Sequence, residues 1–117
     1  MLDLLDVTKI TKNKLVLSLK QVNAHKELEH TLSLVRHDAD DKNITIETEF
    51  LATENHIEAD PTRLQQIFVN IVKNAIKFTP ENGKIHISTR NLDSEMIRVD
   101  IQDSGIGKKI WRIHIDY

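Results

Sequence analysis

The 117-residue chain reads as one α+β domain, a two-layer sandwich with helices on one face of a mixed β-sheet. Three observations predict this. Two stretches, 23–38 and 61–78, place apolar residues at steps of three and four, the period of a half-buried helix. Runs at 14–22, 44–49, 84–90 and 96–102 alternate apolar and polar residues, the period of a strand with one covered face. The length supports one hydrophobic core but not two.

Each element has a local reason. Residues 2–10 (Leu2, Leu4, Leu5, Val7, Ile10) read as the end of a helix too short to stand alone. In 14–22, Leu15, Leu17 and Leu19 share one side and Lys14, Val16, Ser18 and Lys20 the other, a half-buried strand. Asn23 suits a helix N-cap, and Ala24, Leu28, Leu32 and Val35 form the apolar stripe that follows. A turn at 40–43 leads into a strand in which Ile44, Ile46 and Thr48 alternate with Thr45, Glu47 and Glu49. Asp60-Pro61 is a strong helix start, an Asp N-cap with Pro at the first helical position. Leu64, Ile67, Phe68, Ile71 and Ala75 supply the buried stripe of that helix, and Thr79-Pro80 ends it. Asn82-Gly83 is a turn, and 84–90 with 96–102 form an antiparallel hairpin. Trp111, Ile113, Ile115 and Tyr117 alternate with Arg112, His114 and Asp116, so the tail also reads as a strand.

Composition excludes several classes. A formal net charge of −2 with interspersed signs gives no electrostatic footprint for DNA or RNA. With no cysteine there are neither disulfides nor thiolate metal sites. No apolar run is long enough for a membrane span, and the acidic start lacks the basic residues of a signal peptide.

The chemistry concentrates on 61–78. Arg63, Gln66, Asn70, Asn74 and Lys77 step by three and four along one side of the helix, beside the apolar stripe. A carboxamide oxygen is a hard, neutral ligand that suits Mg²⁺ without repelling phosphates. Lys77 follows one turn on as a point charge for phosphate. Asn is a poor helix former, so two of them mid-helix cost stability unless they have a use. The bland alternative is that both face water or cap a loop. About thirty residues on, Asp103-Ser104-Gly105-Ile106-Gly107 follows a strand. Its glycines permit close backbone approach or positive φ, and Asp103 can accept from an exocyclic amine. Alone, such a string is usually a turn.

Taken together, 60–67 and 70–80 closely resemble the N box of sensor histidine kinases, and 103–107 resembles their first glycine box, with the hairpin between them in the right place. The resemblance covers about residues 2–107. It implies the nucleotide-binding fold shared with gyrase, heat-shock and MutL ATPases, here incomplete. It implies ATP and Mg²⁺ as ligands, with Asn74 on the metal, Asn70 and Lys77 at the phosphates, Phe78 near the adenine, Asp103 reading its amino group, and Gly105 and Gly107 shaping the wall. The family transfers the ATP γ-phosphate to a histidine and thence to a response-regulator aspartate. Relatives that hydrolyse ATP typically carry Glu at the Asn70 position, so Asn argues for phosphotransfer.

The chain departs from the family in two ways. The nearest match to the phosphoacceptor motif, His37-Asp38-Ala39-Asp40, lacks the basic residue and the proline, and no catalytic residue is assigned. The other five histidines read as surface residues. After Gly107 the family continues into a lid and a second glycine box, whereas ten unlike residues follow here. The implied division is 1–13 as the end of a dimerisation helix, 14–107 as a partial ATP-binding domain and 108–117 as a tail outside the family pattern. Weak or lost nucleotide binding, and no kinase activity by the chain alone, are the expectations. The tail strand is expected to cover the open sheet edge, within one chain or between two. The competing function is a non-catalytic module that associates with itself or with a kinase. The parent protein would engage a response regulator in the cytoplasm, with any membrane anchor elsewhere.

Overall fold

The structure, a computed structural model, describes residues 3–10, 19–92, 96–104 and 109–116. Its elements are β1 (Asp3–Ile10), β2 (Lys20–Asn23), α1 (Ala24–Asp41), β3 (Thr45–Phe50), β4 (His56–Ala59), α2 (Pro61–Phe78), β5 (Lys84–Asn91), β6 (Met96–Asp103) and β7 (Lys109–Asp116). Five strands form one mixed sheet in the order β1-β7-β6-β5-β3, and β2 pairs with β4 in a separate ribbon. The α+β sandwich is as the patterns predict.

Alternation sets the two faces of the large sheet. Ile85, Ile87, Ile97, Val99, Ile101, Trp111, Ile113 and Ile115 are buried in one core with Leu28 and Val35 of α1 and Leu64, Phe68 and Val72 of α2. The opposite face is polar. There Asp100 of β6 accepts two bonds from Arg112 of β7, Nε at 2.8 Å and a terminal nitrogen at 3.2 Å, and also pairs with Arg98. At the β3 edge Lys84 lies 2.8 Å from Glu47, and their bond lowers the Glu47 pKa and raises that of Lys84.

Three expectations change. Residues 3–10 form a strand, not the end of a helix; β1 runs parallel to β7, from Asp3 beside Lys109 to Ile10 beside Ile115. A short apolar run fits either period, and the unpaired edge of β7 supplies backbone partners that an isolated helix end would lack. Of the strand expected at 14–22, the part up to residue 18 lies outside the described residues, and β2 covers only Lys20–Asn23. β4, too short for its alternation to predict a strand, pairs antiparallel with β2. The tail strand does form, and it covers the sheet edge within the chain, with β6 on one side and β1 on the other. Both of its edges are therefore occupied.

Candidate functional site

α2 is built to present its polar side. Asp60 accepts the backbone N–H groups of Thr62 at 3.0 Å and Arg63 at 3.4 Å, and Pro61 opens the first turn. Such a cap satisfies donors that have no partner inside the helix. At the far end the Thr79 N–H bonds to the carbonyls of Ala75 and Ile76. Lys42, from the end of α1, donates its ammonium to the carbonyls of Ile76 at 2.8 Å and Lys77 at 3.2 Å. A cation there also suits the negative end of the helix dipole. No sequence pattern announces this contact, because it joins residues 34 apart.

Between these caps the helix divides cleanly. Leu64, Phe68, Ile71, Val72, Ala75 and Ile76 are buried, while Arg63, Gln66, Asn70, Asn74 and Lys77 are exposed. Asn70 and Asn74 lie one turn apart, roughly 6 Å along the axis. Among the described residues neither carboxamide makes a hydrogen bond, so neither caps a loop. The structure brings Asn70, Asn74 and Lys77 onto one uncovered stripe.

The other end of the candidate site is different. Phe78 is half exposed, with Lys109 Nζ 4.4 Å from its ring centroid and the Trp111 ring 6.1 Å away at 37°. Asp103 is only 3% exposed, and its carboxylate accepts the Lys109 N–H at 3.2 Å. Gly105 and Gly107 lie outside the described residues. A cavity of about 200 Å³ beside the strand end is lined by Lys84, His86, Gln102, Asp103 and Ser104, and none of the α2 stripe lines it.

His30, His37 and His56 are exposed as expected, whereas His86 and His114 are half-buried. His37 is a surface residue 3.4 Å from Asp41, one turn away on the same helix. His25 is the correction: it is partly buried, stacked on Phe50 with ring centroids 4.6 Å apart. Asn55 Nδ2 donates to its Nδ1 at 3.1 Å, which leaves Nε2–H to donate to the Thr89 hydroxyl at 2.8 Å. Burial pushes this imidazole below its usual pKa, with the Glu29 carboxylate partly opposing. Among the described residues no cluster of three or more His, Asp or Glu could hold a metal. A carboxamide site for Mg²⁺ falls outside that pattern.

Residues 59–112 match the family model of the histidine kinase-, DNA gyrase B-, and HSP90-like ATPases. The chain belongs to this family. The match takes in α2, the hairpin and the first residues of β7, so it reaches slightly beyond the glycine box. The histidine-protein kinase BarA of Escherichia coli is 36% identical over 110 residues, covering 90% of this chain. The sensor histidine kinase GacS of Pseudomonas protegens is 36% identical over 109 residues. The chain spans only 12% of each of these relatives. The catalytic domain of the histidine kinase ThkA superposes with a TM-score of 0.70 at 30% identity, over 76% of this chain and 60% of that one. ThkA is also known in complex with the response regulator TrrA, and that structure matches with a TM-score of 0.68. Among the described residues no helix is long and apolar enough to cross a membrane.

Proposed function

We propose that this chain is the part of a two-component sensor histidine kinase ATP-binding domain that holds the Mg²⁺ and phosphates of the nucleotide. The observation that carries this reading is the α2 stripe. Asn70, Asn74 and Lys77 stand exposed on one side of a helix whose other side is locked in the core. Their side-chain polar groups are without partners among the described residues, which suits ligand binding better than a structural role.

Bound ATP–Mg²⁺ would supply the phosphoryl group that the family transfers to histidine. The chain's part is positioning. The Asn74 carboxamide oxygen would hold the metal, the Asn70 amide would orient phosphate oxygens, and the Lys77 ammonium would balance their charge. Both amides are neutral, so neither opposes the approach of a polyanion. Phe78 and Asp103 would lie toward the base. The phosphate side fits such a ligand as it stands. The base side does not, because Lys109 and Trp111 lie over Phe78 and Asp103 is buried. The phosphoacceptor histidine and a response regulator would meet the parent protein in the cytoplasm, where ATP is available.

Calorimetric titration of the chain with Mg²⁺–tripolyphosphate tests this. Saturable binding that needs Mg²⁺ and disappears in Asn74→Ala is expected. Binding that ignores both the metal and the substitution would refute the assignment.

A further inference from the structure

We infer that the start of β7 closes the base side of this site, so that the chain engages the Mg²⁺–polyphosphate part of a nucleotide and does not discriminate its base. This rests on the phosphate-side reading above and adds a specificity that the reading does not contain.

Three groups make the closure. The Lys109 ammonium stands 4.4 Å over the centre of the Phe78 ring. A cation on an aromatic face occupies the position a flat base would need for stacking. The Trp111 ring, itself only 4% exposed, lies against the same ring with centroids 6.1 Å apart at 37°. The backbone N–H of Lys109 bonds to the carboxylate of Asp103, the group that would otherwise accept from an exocyclic amine.

These groups are anchored in the sheet. Trp111 pairs with Ile101 of β6 and with Asp6 of β1, and Lys109 pairs with Asp3. Parting Trp111 from Phe78 would therefore disturb strand pairing and expose a large apolar side chain, both unfavourable. Among the described residues no such cover lies over Asn70, Asn74 or Lys77, which remain exposed. A ligand can thus reach the stripe with its phosphates while its base stays in solvent.

The test uses the whole chain and its one tryptophan, Trp111. Titrations with Mg²⁺–ADP, Mg²⁺–GDP and Mg²⁺–pyrophosphate are compared, with Trp111 emission and acrylamide quenching followed throughout. Closure predicts affinities within about threefold of one another, blue-shifted emission and weak quenching that no ligand alters. In Phe78→Ala the emission should shift red and quenching should increase. In Lys109→Ala a preference for ADP over pyrophosphate should emerge. An ADP preference of about tenfold or more in the unsubstituted chain would overturn the inference, as would quenching typical of an exposed indole. If none of the three ligands binds, the phosphate-side assignment fails. The quenching data then decide closure alone: a shielded Trp111 that Phe78→Ala uncovers supports it, and an exposed or unresponsive Trp111 refutes it.

Discussion

Replacing both Asn70 and Asn74 by alanine should stabilise the protein. Both residues sit in the interior of α2, both are exposed, and neither side chain makes a hydrogen bond among the described residues. The only folding term that changes is then intrinsic helix propensity, which favours Ala over Asn by roughly 0.6 kcal/mol per site. The two sites share no partner, so the effects should add to about 1.2 kcal/mol. An unfolding entropy of about 2.1 cal/mol/K per residue makes each degree of melting temperature worth about 0.25 kcal/mol in a chain of 117 residues. The double variant should therefore melt about 5 °C higher, measured by far-ultraviolet circular dichroism, while losing Mg²⁺-dependent tripolyphosphate binding. A lower melting temperature would refute the reasoning, because it would mean that the amides support the fold and that their place on the stripe is structural.

Three further outcomes follow from the packing. Burial lowers the His25 pKa in the folded chain, so the unfolded chain takes up its proton first as pH falls. Stability from this group should be full above about pH 6.5 and should decline as pH falls from there toward the lowered folded-state pKa. The check is a series of denaturant midpoints from neutral to mildly acidic pH, in which His25→Gln should flatten the slope. Asp100→Asn should cost about 2 kcal/mol, because two half-buried guanidinium groups lose their shared carboxylate; that figure is discounted for their partial exposure. A denaturation midpoint equal to that of the parent chain would show the cluster to be energetically idle. Gly83→Ala would place its Cβ 2.5 Å from Thr79 Cγ2 and 2.8 Å from the Pro80 carbonyl oxygen, too close for either to remain where it is. A loss of about 1–3 kcal/mol by chemical denaturation is expected, the usual cost of overpacking.

The helix that carries the candidate site was legible residue by residue, since its determinants are local. Asp60 and Pro61 start it, Thr79-Pro80 stops it, and the two stripes are separated by helical period alone. The hairpin was legible for the same reason, its two alternating runs lying within one short loop of each other. β1 is not legible in the same way, because a brief apolar run satisfies both helical and strand spacing, and only the edge of β7, about a hundred residues away, selects the strand. β4 escaped because four residues are too few for alternation to stand out, and its partner β2 lies across α1. His25 looked like a surface residue until Phe50, Asn55 and Thr89 closed around it.

Sequence alone determined the family, the α2 stripe and the alternating faces of the sheet, because caps, periodicity and motif spacing are encoded within a few turns of chain. Tertiary structure decided what lies against Phe78 at the end of that helix. That β7 inserts between β6 and β1, and so lays Lys109 and Trp111 against Phe78, depends on pairing between distant segments. Backbone hydrogen bonds can be satisfied by any suitable edge, and only the assembled core determines which edge is free.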